Sequence, residues 1–92
     1  QPLFLRKDLN QDAIITALRG AGASVQLLTQ VRYGCPDILC GWRGQNILIE
    51  IKTADGKLTA DEREFFDTWR GQVTIVRTVE DALQLLEDIG ER

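Results

Sequence analysis

The sequence predicts a single α/β (α+β) domain, a mixed central sheet flanked by helices, with elements in the order α-β-β-β-α-β-α. Three observations carry this reading. At 92 residues the chain has room for one hydrophobic core. Segments with apolar residues at helical spacing alternate with short β-rich runs. Three of those runs follow one another through short connections, which favours an antiparallel meander. The fourth returns after a helix, which favours a right-handed parallel crossover. There is no internal repeat, linker or composition break, so the domain is taken as residues 1–92.

The first helix is expected over residues 10–22, NQDAIITALRGAG, with Asn10 as N-cap and Ile14, Leu18 and Ala21 facing inward. Gly20 and Gly22 would end it. SVQLLTQVR, residues 24–32, reads as a strand with Val25, Leu27, Thr29 and Val31 on one face. YGCP is a turn, since Gly34 permits unusual dihedrals and Pro36 fixes its own φ. DILCGW and NILIEIKT are then two strands joined around RGQ. Asp55-Gly56 signals a further turn. The spacing of Thr59 and Glu62 fits a capping box opening the helix TADEREFFDTWR, with Phe65, Phe66 and Trp69 on its apolar side. VTIVR is the last strand. Thr78-x-x-Asp81 opens a final helix with Ala82, Leu85, Leu86 and Ile89 facing inward.

Composition narrows the function classes. An apolar fraction of 43% and a charged fraction of 27% are ordinary for a globular protein. No apolar run is long enough to span a bilayer, and an intracellular, cytoplasmic protein is expected. The chain starts at Gln1 and contains no methionine, so a preceding segment is expected. Without histidine, His-containing zinc sites and histidine acid/base chemistry are excluded. Cys35 and Cys40 read as small core residues. The net charge of −3 hides an asymmetry: residues 1–52 carry six basic and four acidic groups, and residues 53–92 carry five and ten. Five of those acids, Glu80, Asp81, Glu87, Asp88 and Glu91, fall in the last segment. The acidity therefore reports on a solvated final helix and does not exclude DNA.

The informative stretch is GCPDILCGWRGQNILIEIK, residues 34–52. Side chains alternate along a strand, so Glu50 and Lys52 share one face and Ile47, Ile49 and Ile51 take the other. With Arg43-Gly44 as the central hairpin residues, Asp37 faces Glu50; with Gly44-Gln45 central, it faces Lys52. Either register gathers Asp37, Glu50 and Lys52 on one face at one end of the sheet. Facing carboxylates repel, and burial makes this worse. A divalent cation removes the penalty: Mg²⁺ typically takes one or two carboxylates and leaves room for water and phosphate. A lysine alongside can polarise water or stabilise phosphate charge, which makes a compact phosphodiester-hydrolysing site. The competing reading is a structural ion pair, but such a pair stabilises a small core poorly.

Pro36-Asp37 followed by Glu50-Ile51-Lys52 across a short hairpin resembles the pattern of the PD-(D/E)XK nuclease superfamily. With KLTADEREFFDTWRG and VTIVRTVEDAL, the chain from Asp8 to Leu86 is similar to the small stand-alone VRR-NUC-type nucleases of phages and prophages. The resemblance implies a restriction-endonuclease-like αβββαβα fold and a Mg²⁺- or Mn²⁺-dependent DNA endonuclease. It implies Asp37, Glu50 and the carbonyl of Ile51 as metal ligands, Lys52 as the residue assisting the water nucleophile, and Gln11, with Asp12 beside it, as the contribution of the first helix. It also implies branched DNA such as Holliday junctions as substrate, a homodimer, and a bacterial or phage-infected cytoplasm. Where the family often has glutamine in its LTPAQ block, this chain has Glu62. Trp42 and Trp69 read as core or interface residues, and Lys57 and Arg63 as helix-start charges. Arg32, Tyr33 and Arg43 flank the site as possible phosphate contacts. Two other functions fit the same chain: a nuclease-fold DNA-binding module without catalysis, and a protein-interaction domain using the acidic last helix.

Overall fold

The computed structural model describes residues 3–90, so Glu91 lies outside the described residues. The elements are α1 (Leu3–Gly20), β1 (Ser24–Leu27), β2 (Ile38–Trp42), β3 (Gln45–Ile51), α2 (Ala60–Thr68), β4 (Val73–Val76) and α3 (Val79–Gly90). They form an α+β fold whose four-stranded sheet has the order β1-β2-β3-β4. The first three strands pair antiparallel and β4 runs parallel to β3, as the short and long connections imply.

The β2–β3 hairpin fixes everything downstream. Ile38 pairs with Ile49 and Trp42 with Gln45, so Arg43 and Gly44 are the two central residues. Both have positive φ, 51° and 78°, as the turn that matches strand twist requires. Gly44 satisfies this at no steric cost. This register sends Ile38, Cys40, Ile47, Ile49 and Ile51 to one face, where they meet Ile14 and Leu18 of α1 and Ala82, Leu86 and Ile89 of α3. Each buried aliphatic side chain contributes about 1.5–3 kcal/mol in transfer terms, so this face carries the fold.

Three local expectations change. The first helix starts at Leu3, not at Asn10, because the residues before Asn10 include good helix formers. The strand after it stops at Leu27. There Leu28 N donates to Asp37 O at 2.8 Å and Val31 N to Leu28 O at 3.0 Å, which turns the chain; Tyr33 and Gly34 then take positive φ. Leu27 and Val31 are consequently exposed rather than aligned inward. Finally, α2 buries no residue. Phe65 is half-buried and stacks on the exposed Trp69 at 5.0 Å.

The remaining turn and cap readings agree with the structure. Thr59 and Glu62 make the capping box of α2, and Asp81 N donates to Thr78 Oγ1 at the start of α3. Cys40 is buried and Cys35 half-buried. No helix among the described residues is long and apolar enough to cross a membrane.

Candidate metal centre

Glu50 and Lys52 lie near the C-terminal end of β3, on the face away from the core, and both are buried. Asp37 immediately precedes β2, one step beyond the Ile38–Ile49 pair. Its Oδ2 accepts a hydrogen bond from Ile51 N at 2.8 Å. That bond anchors Asp37 across the hairpin next to Glu50, and the carboxylate retains further lone pairs. A strand residue's N–H and C=O point to the same side, so the carbonyl of Ile51 faces the β2 side of the strand, as its N–H does. The structure thus brings together Asp37, Glu50, Ile51 and Lys52.

Glu50 is the outlier of the molecule. It is 1% exposed, and no N–H or hydroxyl donor reaches either carboxylate oxygen; the groups beside it are the carboxyls of Asp37 and Glu62. The nearest countercharge is Lys52 Nζ, 3.7 Å from Oε2. Burial, the charge of Asp37, a side-chain hydrogen bond with the Asp37 carboxylate and, more weakly, the charge of Glu62 push the Glu50 carboxyl up to about 8, against the opposing effect of Lys52. A buried carboxylate left without donors is costly; protonation relieves that cost in the free protein, and a hard cation is one ligand that satisfies the ionised form. Among the described residues no three His, Cys, Asp or Glu side chains form a ligand group. The candidate is a two-carboxylate centre, the number Mg²⁺ ordinarily uses.

Lys52 does not close on Glu50. Its Nζ donates instead to Glu62 Oε1 at 2.8 Å, and the same oxygen accepts from Thr59 N at 2.8 Å. Burial acts to lower the Lys52 pKa, but Glu62, Glu50 and Asp37 outweigh it and raise it. Glu62 is likewise pushed up by burial, yet Lys52 and the Thr59 N–H prevail and lower it. The half-buried Cys35 thiol is pushed up by burial and by the negative charges of Glu50 and Asp37.

Gln11 is half-buried on α1 and makes no hydrogen bond to Asp37, Glu50 or Lys52. Its neighbour Asn10 is the α1 residue that reaches the end of β3, donating to Lys52 O at 3.2 Å and Arg77 O at 3.1 Å. Arg77 Nη1 in turn donates to Thr53 O and Gly56 O, each at 2.7 Å, fixing the segment that follows Lys52. Asn10 continues the Ile14–Leu18 stripe, and a polar residue on a buried stripe needs partners; the spacing marks that need and not which groups meet it. Arg43 sits at the opposite end of the hairpin, over the Trp42 ring at 5.2 Å. Arg32 and Tyr33 line an apolar groove of about 680 Å³ on the α2 side, between Leu39, Leu48, Phe65 and Trp69. Comparison with protein-family models, curated proteins and solved structures finds no match.

Proposed function

We propose that this chain is a metal-dependent DNA endonuclease of the PD-(D/E)XK type, built on a restriction-endonuclease-like core. The observation that carries the reading is Glu50: a carboxylate 1% exposed, with no hydrogen-bond donor on either oxygen, beside a second carboxylate and a lysine. Lys52 lies 3.7 Å from Glu50, at the outer reach of an ion pair, and makes its short contact of 2.8 Å with Glu62; a Glu50–Lys52 pair formed for stability alone would close to hydrogen-bond distance. The order of elements and the parallel β3–β4 pair support the same reading.

In this proposal Asp37, Glu50 and the Ile51 carbonyl hold Mg²⁺ or Mn²⁺. Such an ion supplies Lewis acidity toward a phosphodiester and makes bound water more acidic. Asp37 and Glu50 bring negative charge and oxygen donors to one point, with the hydrogen bond from Ile51 N fixing the first of them. Lys52 contributes a buried ammonium whose charge is worth most where water is excluded, stabilising charge that develops on the phosphate. Gln11, the proposed contribution of the first helix, has no hydrogen bond to these groups.

Branched DNA such as a Holliday junction is the proposed substrate and a homodimer the proposed active form, because one domain of this size cannot embrace a duplex extensively. Bacterial or phage-infected cytoplasm would be the setting. The test is incubation with four-way-junction, flap and linear DNA, with and without Mg²⁺. Junction cleavage that stops on chelation supports the proposal. Salt-sensitive binding without cleavage in any divalent metal would reduce the chain to a DNA-binding module.

A further inference from the structure

Lys52 has two carboxylates within reach and makes its short contact with the one outside the Asp37–Glu50 pair. The distances are 2.8 Å to Glu62 Oε1 and 3.7 Å to Glu50 Oε2. Two features of the fold hold Glu62 where it can do this. Its Oε1 also accepts from the backbone Thr59 N at 2.8 Å, which holds the Glu62 side chain from within its own helix; the other half of the capping box, Thr59 Oγ1 accepting from Glu62 N at 3.2 Å, caps the helix backbone and does not touch that side chain.

The second feature is the seat of the helix. α2 has no fully buried residue; Phe65 and Phe66 are half-buried beyond its first turn, and the first turn itself has a backbone seat. That turn rests on Gly34, where an added Cβ would collide with the Asp61 carbonyl and crowd Glu62 N at 2.8 Å. Gly34 also has a positive φ of 75°, which a side chain tolerates poorly. The loop leading to Asp37 and the helix turn carrying Glu62 therefore meet backbone to backbone.

We infer that Glu62 is a positioning residue for Lys52, drawing its ammonium away from Glu50 so that the Asp37–Glu50 pair stays open to a divalent cation. This rests on the nuclease reading of those three residues. Without Glu62 the buried Glu50, which lacks any donor, becomes the nearest acceptor for Lys52. A lysine closed onto Glu50 competes with the cation for the same oxygens and leaves its place beside the phosphate.

Three variants separate this role from helix capping: Glu62→Ala, Glu62→Gln and Thr59→Ala. Each is measured for melting temperature, Mn²⁺ affinity by calorimetry, and Mg²⁺-dependent cleavage of a four-way junction. Thr59→Ala removes the other half of the cap, and is expected to lower the melting temperature by several degrees while leaving Mn²⁺ affinity and kcat unchanged. Glu62→Ala is expected to lower it similarly, weaken Mn²⁺ binding about tenfold, and reduce kcat about tenfold or more with KM little changed. Glu62→Gln keeps an oxygen acceptor for Lys52 and Thr59 N, and should recover most of both losses.

A Glu62→Ala protein that matches Thr59→Ala, less stable but unaltered in Mn²⁺ affinity and kcat, would overturn the inference. If the wild type binds Mn²⁺ but cleaves no DNA, the nuclease reading fails, and the Mn²⁺ comparison alone still decides the role of Glu62. A wild type that binds no Mn²⁺ overturns both.

Discussion

Ile47, Ile49 and Ile51 occupy one face of β3 under α1 and α3, while Glu50 and Lys52, one residue out of phase, occupy the other, toward α2. The first face is dry and closed by two helices. The second carries buried charge and an open apolar groove, and its helix adds nothing to the core. The contrast suggests a division of labour within one seven-residue strand. Because the closed face supplies the folding energy, the other can keep a carboxylate without donors. A small domain has a total stability of only about 5–15 kcal/mol, so that tolerance has to be met by the isoleucines.

The largest effect should come from exchanging the roles of the two faces in paired variants. Ile49→Ala is expected to cost about 2–5 kcal/mol in urea unfolding, through lost burial and the cavity left behind, with specific activity per folded molecule unchanged. Lys52→Ala should do the reverse. Junction cleavage is expected to fall by about two orders of magnitude, as for loss of a transition-state charge contact, with Mn²⁺ and DNA still bound. Measuring both properties on one preparation of each variant decides the matter. A Lys52→Ala protein that is destabilised yet cleaves at wild-type specific activity would return Lys52 to a structural ion pair.

How far this division could be read in advance follows from the range of the interactions involved. The alternation of Glu50 and Lys52 against the isoleucines is local, and it placed both sets on their faces. The hairpin left two registers open, and the positive φ of Arg43 and Gly44 selects the one that sets Asp37 next to Glu50. Contacts made across the fold were not legible. Asn10 has the residue type of an N-cap, yet its amide reaches Lys52 O and Arg77 O, 42 and 67 positions away. The capping box of Glu62 is written in its spacing from Thr59, but its bond to Lys52 depends on where α2 comes to rest. β1 is shorter than its β-rich composition because the chain turns away where Leu28 bonds Asp37.

A smaller effect concerns the charged face without metal. Glu50 titrates near 8 in the fold, against an ordinary value of 4.5. Between those values the folded protein holds more protons than the unfolded chain, so stability must fall as pH rises. With chelator present, unfolding free energy is expected to decline from pH 5 to pH 8, by at most about 1.4 kcal/mol per pH unit from this one group. Glu50→Gln should flatten that slope, raise apo stability at pH 8 and abolish Mn²⁺ binding. Urea titrations at several pH values test the first two, and calorimetry the third. An unchanged slope in Glu50→Gln would show that this carboxyl is not the proton-binding group.

The smallest effect tests whether the α2 side is open in solution. Trp69 is 47% exposed and its contact with Phe65 is a stacked pair at 5.0 Å. Such a pair is worth about 0.5–1.5 kcal/mol beyond burial, and little burial is lost here. Trp69→Ala is therefore expected to cost about 1 kcal/mol, well below Ile49→Ala, at every protein concentration. Urea unfolding at two concentrations a hundredfold apart provides the check. A loss as large as that of Ile49→Ala would mean that α2 packs as core, contrary to its exposure. A loss that appears only at the higher concentration would mean that a second copy covers the groove, and would assign the dimer to the same face as the charges.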